Sequence, residues 1–279
     1  MIPFTDAQIA ALRSLSALWP RTAWCMIGAS ALACQLDLSW RQTGDIDLIL
    51  AVDLDAFPAG LDKLAGWSRH QTREHEWHGP GRVQVDLLPA GAGLLRQGRI
   101  TWQSGHQMSL LGMRHAMAHA VPVRFASDLS VRVAPLRVIA LLKMVAYLER
   151  PHERERDLED IGQILEDYVP ADDPRRFGDE VPETIAFECR PAFLLGRDLA
   201  PLLDESERAV TGRFIERLRG VGTDTTRSRI KQKGPDRWRV GDVDSDAQLD
   251  AVVDAFQAGL DSIRSQLAGS STSEGTDPA

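Results

Sequence analysis

Cysteine is scarce: Cys25, Cys34 and Cys189 are the only three in 279 residues. They are too few and too scattered for a disulfide framework or a cysteine-rich zinc site, so free thiols in a reducing compartment are expected. Long apolar runs are missing too. No window reaches the roughly 18 apolar residues of a spanning helix. The opening stretch, "MIPFTDAQIAALRSLSALWPRTAW", has helical apolar spacing and lacks the basic leader and unbroken apolar core of a secretion signal. A cytoplasmic protein with no membrane contact is the expectation. Positive charge is in deficit as well. A formal net charge of −8 argues against coating nucleic acid by net charge alone and leaves room only for a local basic groove. No Ser or Cys stands in a nucleophile elbow, which removes that route to covalent catalysis. What remains is an ordinary globular composition, 43% hydrophobic and 26% charged. The length suits two modest domains or one with a helical extension.

Periodicity divides the chain further. Thr5 is a good N-cap for a helix to about Leu18, closed by Pro20. "TAWCMIG" reads as a buried strand ending at Gly28, residues 30–36 as one or two helical turns, and 45–52 as a second strand. A helix is expected over 56–67. In "RVQVDLLP", Val83, Val85 and Leu87 take one face, and Arg82, Gln84 and Asp86 the other. A helix is expected around 107–120, and strands at "VPVRF" and "LSVRVAP". The helices "LRVIALLKMVAYLER" and "ERERDLEDIGQILEDY" follow, then a helical hairpin over roughly 182–202 and 204–219, and a last helix over 246–267. Between these lies "RSRIKQKGPDRWRV", whose odd positions from Arg227 to Arg239 are largely cationic. Its period of two around "KGPD" predicts a β-hairpin over 227–239 with one basic face, either solvated or holding an RNA backbone. The organisation expected is a core over 1–135, a helical region over 136–220, the hairpin and terminal helix over 221–268, and a disordered tail over 269–279.

The chemistry concentrates in "GASALACQLDLSWRQTGDIDLIL", Gly28 to Leu50. Strand parity sends Ile46, Leu48 and Leu50 to the core and leaves Asp45 and Asp47 together on the opposite face. Carboxylates beside a core call for a cation. A third, Asp86, lies on a polar strand face of its own. Three strand carboxylates make a hard-oxygen site suited to Mg²⁺, with Mn²⁺ as an alternative, leaving positions for water and substrate phosphates. That is the layout for phosphoryl or nucleotidyl transfer by in-line displacement. Gly28 and Ala29 allow close approach of backbone to phosphate, and Ser30 adds a hydroxyl there.

This string resembles the nucleotidyltransferase superfamily that includes polymerase β, with its hydrophobic-Gly-Gly/Ser turn, a spacer, and Asp-hydrophobic-Asp. More narrowly, it is similar to the AbiEii type of abortive-infection toxins, whose Arg-x-Ser/Thr-x-Asp-Ile-Asp run is matched by Arg41, Thr43, Asp45 and Asp47. "VIALLKMVAYLER" resembles that family's lysine-bearing helix, here Lys143. "RERDLEDI" resembles its Arg-x-Lys-Asp-x-x-Asp motif, giving Arg154, Asp157 and Asp160, and "FLLGRDLA" at 193–200 is similar to relatives as well. The resemblance spans residues 20–200. It departs at Ala29, where the family has a second Gly or Ser, and at Arg156, which keeps the charge of the usual Lys without its point-charge geometry.

The resemblance implies an α/β (α+β) nucleotidyltransferase fold, a small mixed sheet flanked by helices, with a C-terminal helical region. It implies Mg²⁺-dependent transfer of a nucleoside monophosphate from an NTP to an RNA hydroxyl, tRNA ends included, or to a protein hydroxyl, by the toxin of a toxin–antitoxin pair with a cognate antitoxin. Asp45 and Asp47 would hold the metal, Asp86 would orient or deprotonate the acceptor, and Lys143 would neutralise triphosphate charge. Gly28, Ala29, Ser30, Arg41, Thr43, Arg154, Asp157 and Asp160 would complete the nucleotide site. Read as residues alone, Lys143 is equally a lysine covering apolar helix surface, and Asp157 and Asp160 an ion-pair array with Arg154 and Arg156. A non-catalytic nucleotide-binding module and a kinase-like phosphotransferase remain as alternatives. His115 and His119 share a helix face without the glutamate of a metalloprotease motif, and "REHEWHG", with His75 and His78, reads as a solvated polar loop.

Overall fold

The computed structural model describes residues 4–37, 44–221, 225–235, 238 and 245–270, with side chains through residue 262. The chain divides into two compact units, Met1–Leu142 and Lys143–Ala279.

The first unit opens with α1 (Asp6–Leu18), started by a capping box: Thr5 accepts from the Gln8 amide while the Gln8 side chain accepts from the Thr5 amide. Ala11, Leu12 and Leu15 of α1 are fully buried. There follow β1 (Trp24–Ile27), α2 (Gly28–Ala33), β2 (Asp45–Leu50), β3 (Ser68–Arg69), β4 (Glu76–His78) and β5 (Gln84–Pro89). After α3 (Ala92–Gln97), β6 (Arg99–Thr101) and β7 (Gln107–Ser109) form a separate two-stranded ribbon. α4 (Met113–His119), β8 (Val121–Ala126), β9 (Leu129–Val133) and α5 (Leu136–Glu149) complete the series, and the division between the units falls within α5.

Seven strands make one mixed sheet in the order β3-β4-β5-β2-β1-β9-β8. β2 and β5 are parallel in the centre, antiparallel partners flank them, and β1 pairs in parallel with β9. In β2 and β5 the aliphatic residues Ile46, Leu48, Val85 and Leu87 are fully buried, as parity requires. A mixed sheet with helices is thus the observed fold class.

Two expectations are corrected in this unit. Residues 56–67 are turns with one 3₁₀ turn at Leu61–Lys63, because Ala59, Gly60 and Gly66 take positive φ values that no α-helix accommodates. Residues 107–109 are strand rather than helix, and Gly112, at φ 83°, precedes the shorter α4.

The second unit is helical: the end of α5, then α6 (Glu155–Asp167), α7 (Arg190–Leu199), α8 (Glu205–Leu218), α9 (Thr226–Lys233) and α10 (Ser245–Ser270). α7 starts later than 182, with Pro191 in its first turn, where the missing N–H costs nothing. α7 and α10 meet backbone to backbone: a Cβ on Gly196 would stand 2.2 Å from the Phe256 carbonyl oxygen, and one on Gly259 2.0 Å from that of Phe193. This contact accounts for the glycine of "FLLGRDLA".

The hairpin expected over 227–239 is also corrected, since residues 226–233 form α9. Cations spaced by two cannot share a helix face, while those spaced by four can. Arg227 and Lys231 accordingly turn together to Asp246 of α10, with Arg227 also reaching Asp250 and the Leu218 carbonyl. Arg229 turns instead to Glu155 of α6, 3.3 Å away. Arg237 and Arg239 lie outside the described residues, as does the expected tail beyond Ser270. Among the described residues no helix is long and apolar enough to cross a membrane.

Candidate active site

The site is built where β1 turns into α2. Gly28 opens α2 at φ 65°, in the left-handed region. A Cβ there would fall 2.1 Å from Asp47 Oδ2, so glycine is required both for the backbone conformation and for the space the carboxylate occupies. Ile27 pairs with Asp47 across the β1–β2 ladder, which sets this approach. Ala29 and Ser30 are buried, and the Ser30 hydroxyl donates to the Asp45 carbonyl. That hydroxyl ties the start of β2 to α2, a partner the sequence did not suggest.

Asp47 stands opposite Asp86 in the parallel β2–β5 register, with Asp45 opposite Gln84. Asp45, Asp47 and Asp86 are all half-buried, and each offers a carboxylate oxygen within 4.8 Å of the others. Oxygens on opposite sides of a Mg²⁺ ion stand about 4 Å apart, given bonds of about 2.1 Å. Small side-chain rotations therefore suffice for a shared ion. The donor set is all hard oxygen on rigid strands, which fits Mg²⁺ or Mn²⁺ and disfavours softer metals. Burial lifts the Asp86 carboxyl above its ordinary value. Gln84, donating at 3.2 Å, and His75 oppose that rise, while the Asp45 and Glu76 carboxylates add to it. The Asp86 shift is that of a carboxyl buried among other carboxylates.

The sequence did not point to the next strand. Glu76 pairs with Asp86 across β4–β5, so Asp47, Asp86 and Glu76 form a row over three neighbouring strands. Glu76 and Trp77 are buried, which corrects the solvated-loop reading of "REHEWHG". Arg73 pairs with Glu76 at 2.9 Å, and His70 and His78 flank it at 3.8 and 3.7 Å. His75 lies beside the row. Burial lowers its pKa, against the raising influence of Asp86 and Glu76. The alternation of Glu76, Trp77 and His78 was the available signal, too short to register as a strand.

In the second unit, Lys143, Arg154, Asp157 and Asp160 do come together. The Lys143 ammonium is 3.0 Å from Asp157 and 2.6 Å from Asp160, and Arg154 is 2.8 Å from Asp157. Lys143, Asp157 and Asp160 are at most 6% exposed. Two cations meet two carboxylates, so the positive charge of Lys143 is already compensated within its own unit. Asp157 also sits in the first turn of α6, where the helix dipole favours a carboxylate. Arg41 and Thr43 lie outside the described residues.

The family model for "Nucleotidyl transferase AbiEii toxin, Type IV TA system" matches residues 10–258. Among solved structures, the chain is similar to an antigenic nucleotidyltransferase-like protein from Paracoccidioides brasiliensis, at 13% identity over 83% of this chain and 94% of that one, with a TM-score of 0.45. It is also similar to the antibiotic-resistance factor ANT(2'')-Ia, at 16% identity over 54% of this chain and 77% of that one, with a TM-score of 0.32. No curated protein matches the chain.

Proposed function

The chain belongs to the AbiEii family of nucleotidyltransferase toxins of type IV toxin–antitoxin systems, and from that premise we propose that it transfers a nucleoside monophosphate from an NTP to a hydroxyl of an RNA, tRNA included. The observation that carries the proposal is the convergence of Asp45, Asp47 and Asp86 beside the Gly28 turn. A divalent ion bound there would offset triphosphate charge and help the leaving pyrophosphate depart.

The chain's own residues do the rest. Asp45 and Asp47, side by side on the same face of one rigid strand, would hold the metal without reorganisation. Asp86 would help to hold the metal; it orients the acceptor hydroxyl and accepts its proton as the oxygen attacks the α-phosphorus and the bond to pyrophosphate breaks. Gly28 and Ala29 present backbone to the phosphates, while Ser30 supports them by fixing β2. Lys143, with Arg154, Asp157 and Asp160, is assigned a positioning role that holds α5 to α6, because its charge is already met by two carboxylates. A cognate antitoxin would complete the system, and a cytoplasmic location follows from this reading.

The test incubates the full chain with each α-labelled NTP, Mg²⁺, total tRNA and cell extract. Label enters RNA with wild type, pyrophosphate is released, and Asp47→Asn lowers the rate roughly 10³-fold, equivalent to about 4 kcal/mol of transition-state stabilisation. Equal labelling by Asp47→Asn refutes the proposal. Label in protein replaces the acceptor, and release of a nucleoside diphosphate replaces the reaction with a phosphotransfer.

A further inference from the structure

The second unit holds a cleft of about 590 Å³ lined by His152, Arg213, Glu216, Arg217, Val221, Thr225 and Arg229. Arg213, Glu216 and Arg217 fall at i, i+3 and i+4 on α8 and so share one face. Arg229 comes from α9 and Thr225 from its N-cap. His152 lies in the turn between α5 and α6. Among the described residues of the lining, three arginines stand with one glutamate, and Arg229 also meets Glu155 at 3.3 Å. That positive patch stands in a chain of net charge −8. Long-range attraction of anions by the whole molecule therefore does not account for it, and whatever the cleft attracts is attracted locally.

Arginine in such a setting selects its ligand by geometry as well as charge. The planar guanidinium fork matches phosphate with paired hydrogen bonds. The volume lies within the range of small-molecule sites and suits a group of nucleotide size better than a flat protein surface. We propose that this cleft is a binding site for the phosphate of a nucleotide unit, free or within an RNA strand, held by Arg213, Arg217 and Arg229. The proposal stands without the transfer reaction, since it uses none of Asp45, Asp47 and Asp86. The basic segment read from sequence as a hairpin face contributes to the cleft through Arg229 alone among its described cations.

Binding is measured on the full chain in EDTA, which silences any metal-dependent nucleotide site. The probes are ATP by calorimetry and a fluorescent mixed-sequence single-stranded RNA 12-mer by anisotropy, over a salt series. One or both probes bind wild type, and the double variant Arg213→Gln/Arg229→Gln weakens that binding at least 10-fold. For the RNA, the slope of log K against log salt falls by about 1.4, corresponding to two lost phosphate contacts on a single strand. Glu216→Gln, which removes the acid from the lining, tightens binding and guards against a double variant that merely misfolds. Binding of ATP alone identifies a free nucleotide as the source, and binding of RNA alone a strand. No binding of either probe, or affinities unchanged in both variants, overturns the proposal. Loss of label transfer in Asp47→Asn with these affinities intact leaves it standing.

Discussion

Replacing Lys143 by methionine tests whether this residue works on its own unit. Lys143 is 5% exposed, and its ammonium lies 2.6 Å from Asp160, itself 0% exposed, and 3.0 Å from Asp157. Removing the cation leaves carboxylates in a medium that solvates them poorly. Asp157 keeps Arg154 at 2.8 Å. Breaking a buried ion pair from one side costs about 3–5 kcal/mol. With a urea m-value of about 2–3 kcal/mol/M, that lowers the unfolding midpoint by about 1–2.5 M. The double variant Lys143→Met/Asp160→Asn should cost about 1–3 kcal/mol less than the sum of its parts, because the second change removes the charge the first exposed. The pH dependence has a definite sign. Burial lowers the Lys143 pKa, but Asp157 and Asp160 raise it further, to a net value above the ordinary 10.5. Its stabilising contribution is therefore complete below pH 10.5 and lost as pH rises through the folded-state value. Wild type and Lys143→Met differ by a constant margin at neutral pH and converge only in strong alkali. A Lys143→Met variant with an unchanged urea midpoint and lost transfer activity would refute the positioning role and return Lys143 to the triphosphate.

Three further substitutions probe the scaffold. Gly28→Ala forces a Cβ into the left-handed region at about 1–2 kcal/mol and into the space of Asp47 Oδ2. It should lower the melting temperature and abolish label transfer together, and full activity would contradict the close approach. Gly259→Ala drives a methyl group against the Phe193 carbonyl oxygen and should destabilise the α7–α10 contact by at least about 1–3 kcal/mol; an unchanged unfolding curve would show that the helices are not so close. Thr5→Ala removes the N-cap of α1 and should cost about 1 kcal/mol in urea unfolding, with transfer activity unaffected.

The parts of the fold that were readable from sequence are those where one local rule acts without competition. Alternation in "DIDLIL" and "RVQVDLLP" put the aliphatic residues of β2 and β5 in the core and the aspartates opposite, and the same parity brings Asp45, Asp47 and Asp86 into one cluster. Thr5 as N-cap announced α1. What parity could not supply was the strand order that sets Asp47 opposite Asp86. Nor could it supply the antiparallel β4 that adds Glu76 to the row, since three residues carry too little periodicity to stand out from a loop. Ser30 shows the same limit at a single residue: a hydroxyl in a turn looks free until the strand it fastens is known.

The basic segment failed for a different reason. Its alternation of cations and apolar residues is real, and Ile230 and Trp238 are buried. Alternation predicts a strand, however, only if all the cations seek one environment. Here they seek two. Asp246 and Asp250 of α10 draw Arg227 and Lys231 to one side, and Glu155 of α6 draws Arg229 to another. A helix serves both demands, because residues four apart share a face while residues two apart diverge by about 200°. A β-hairpin would have stacked the same charges on one side, against their mutual repulsion. The acids that decide the matter lie 15 to 74 positions away in sequence, beyond the reach of any local pattern. The same divergence frees Arg229 from the α10 acids and turns it toward the arginine-lined cleft.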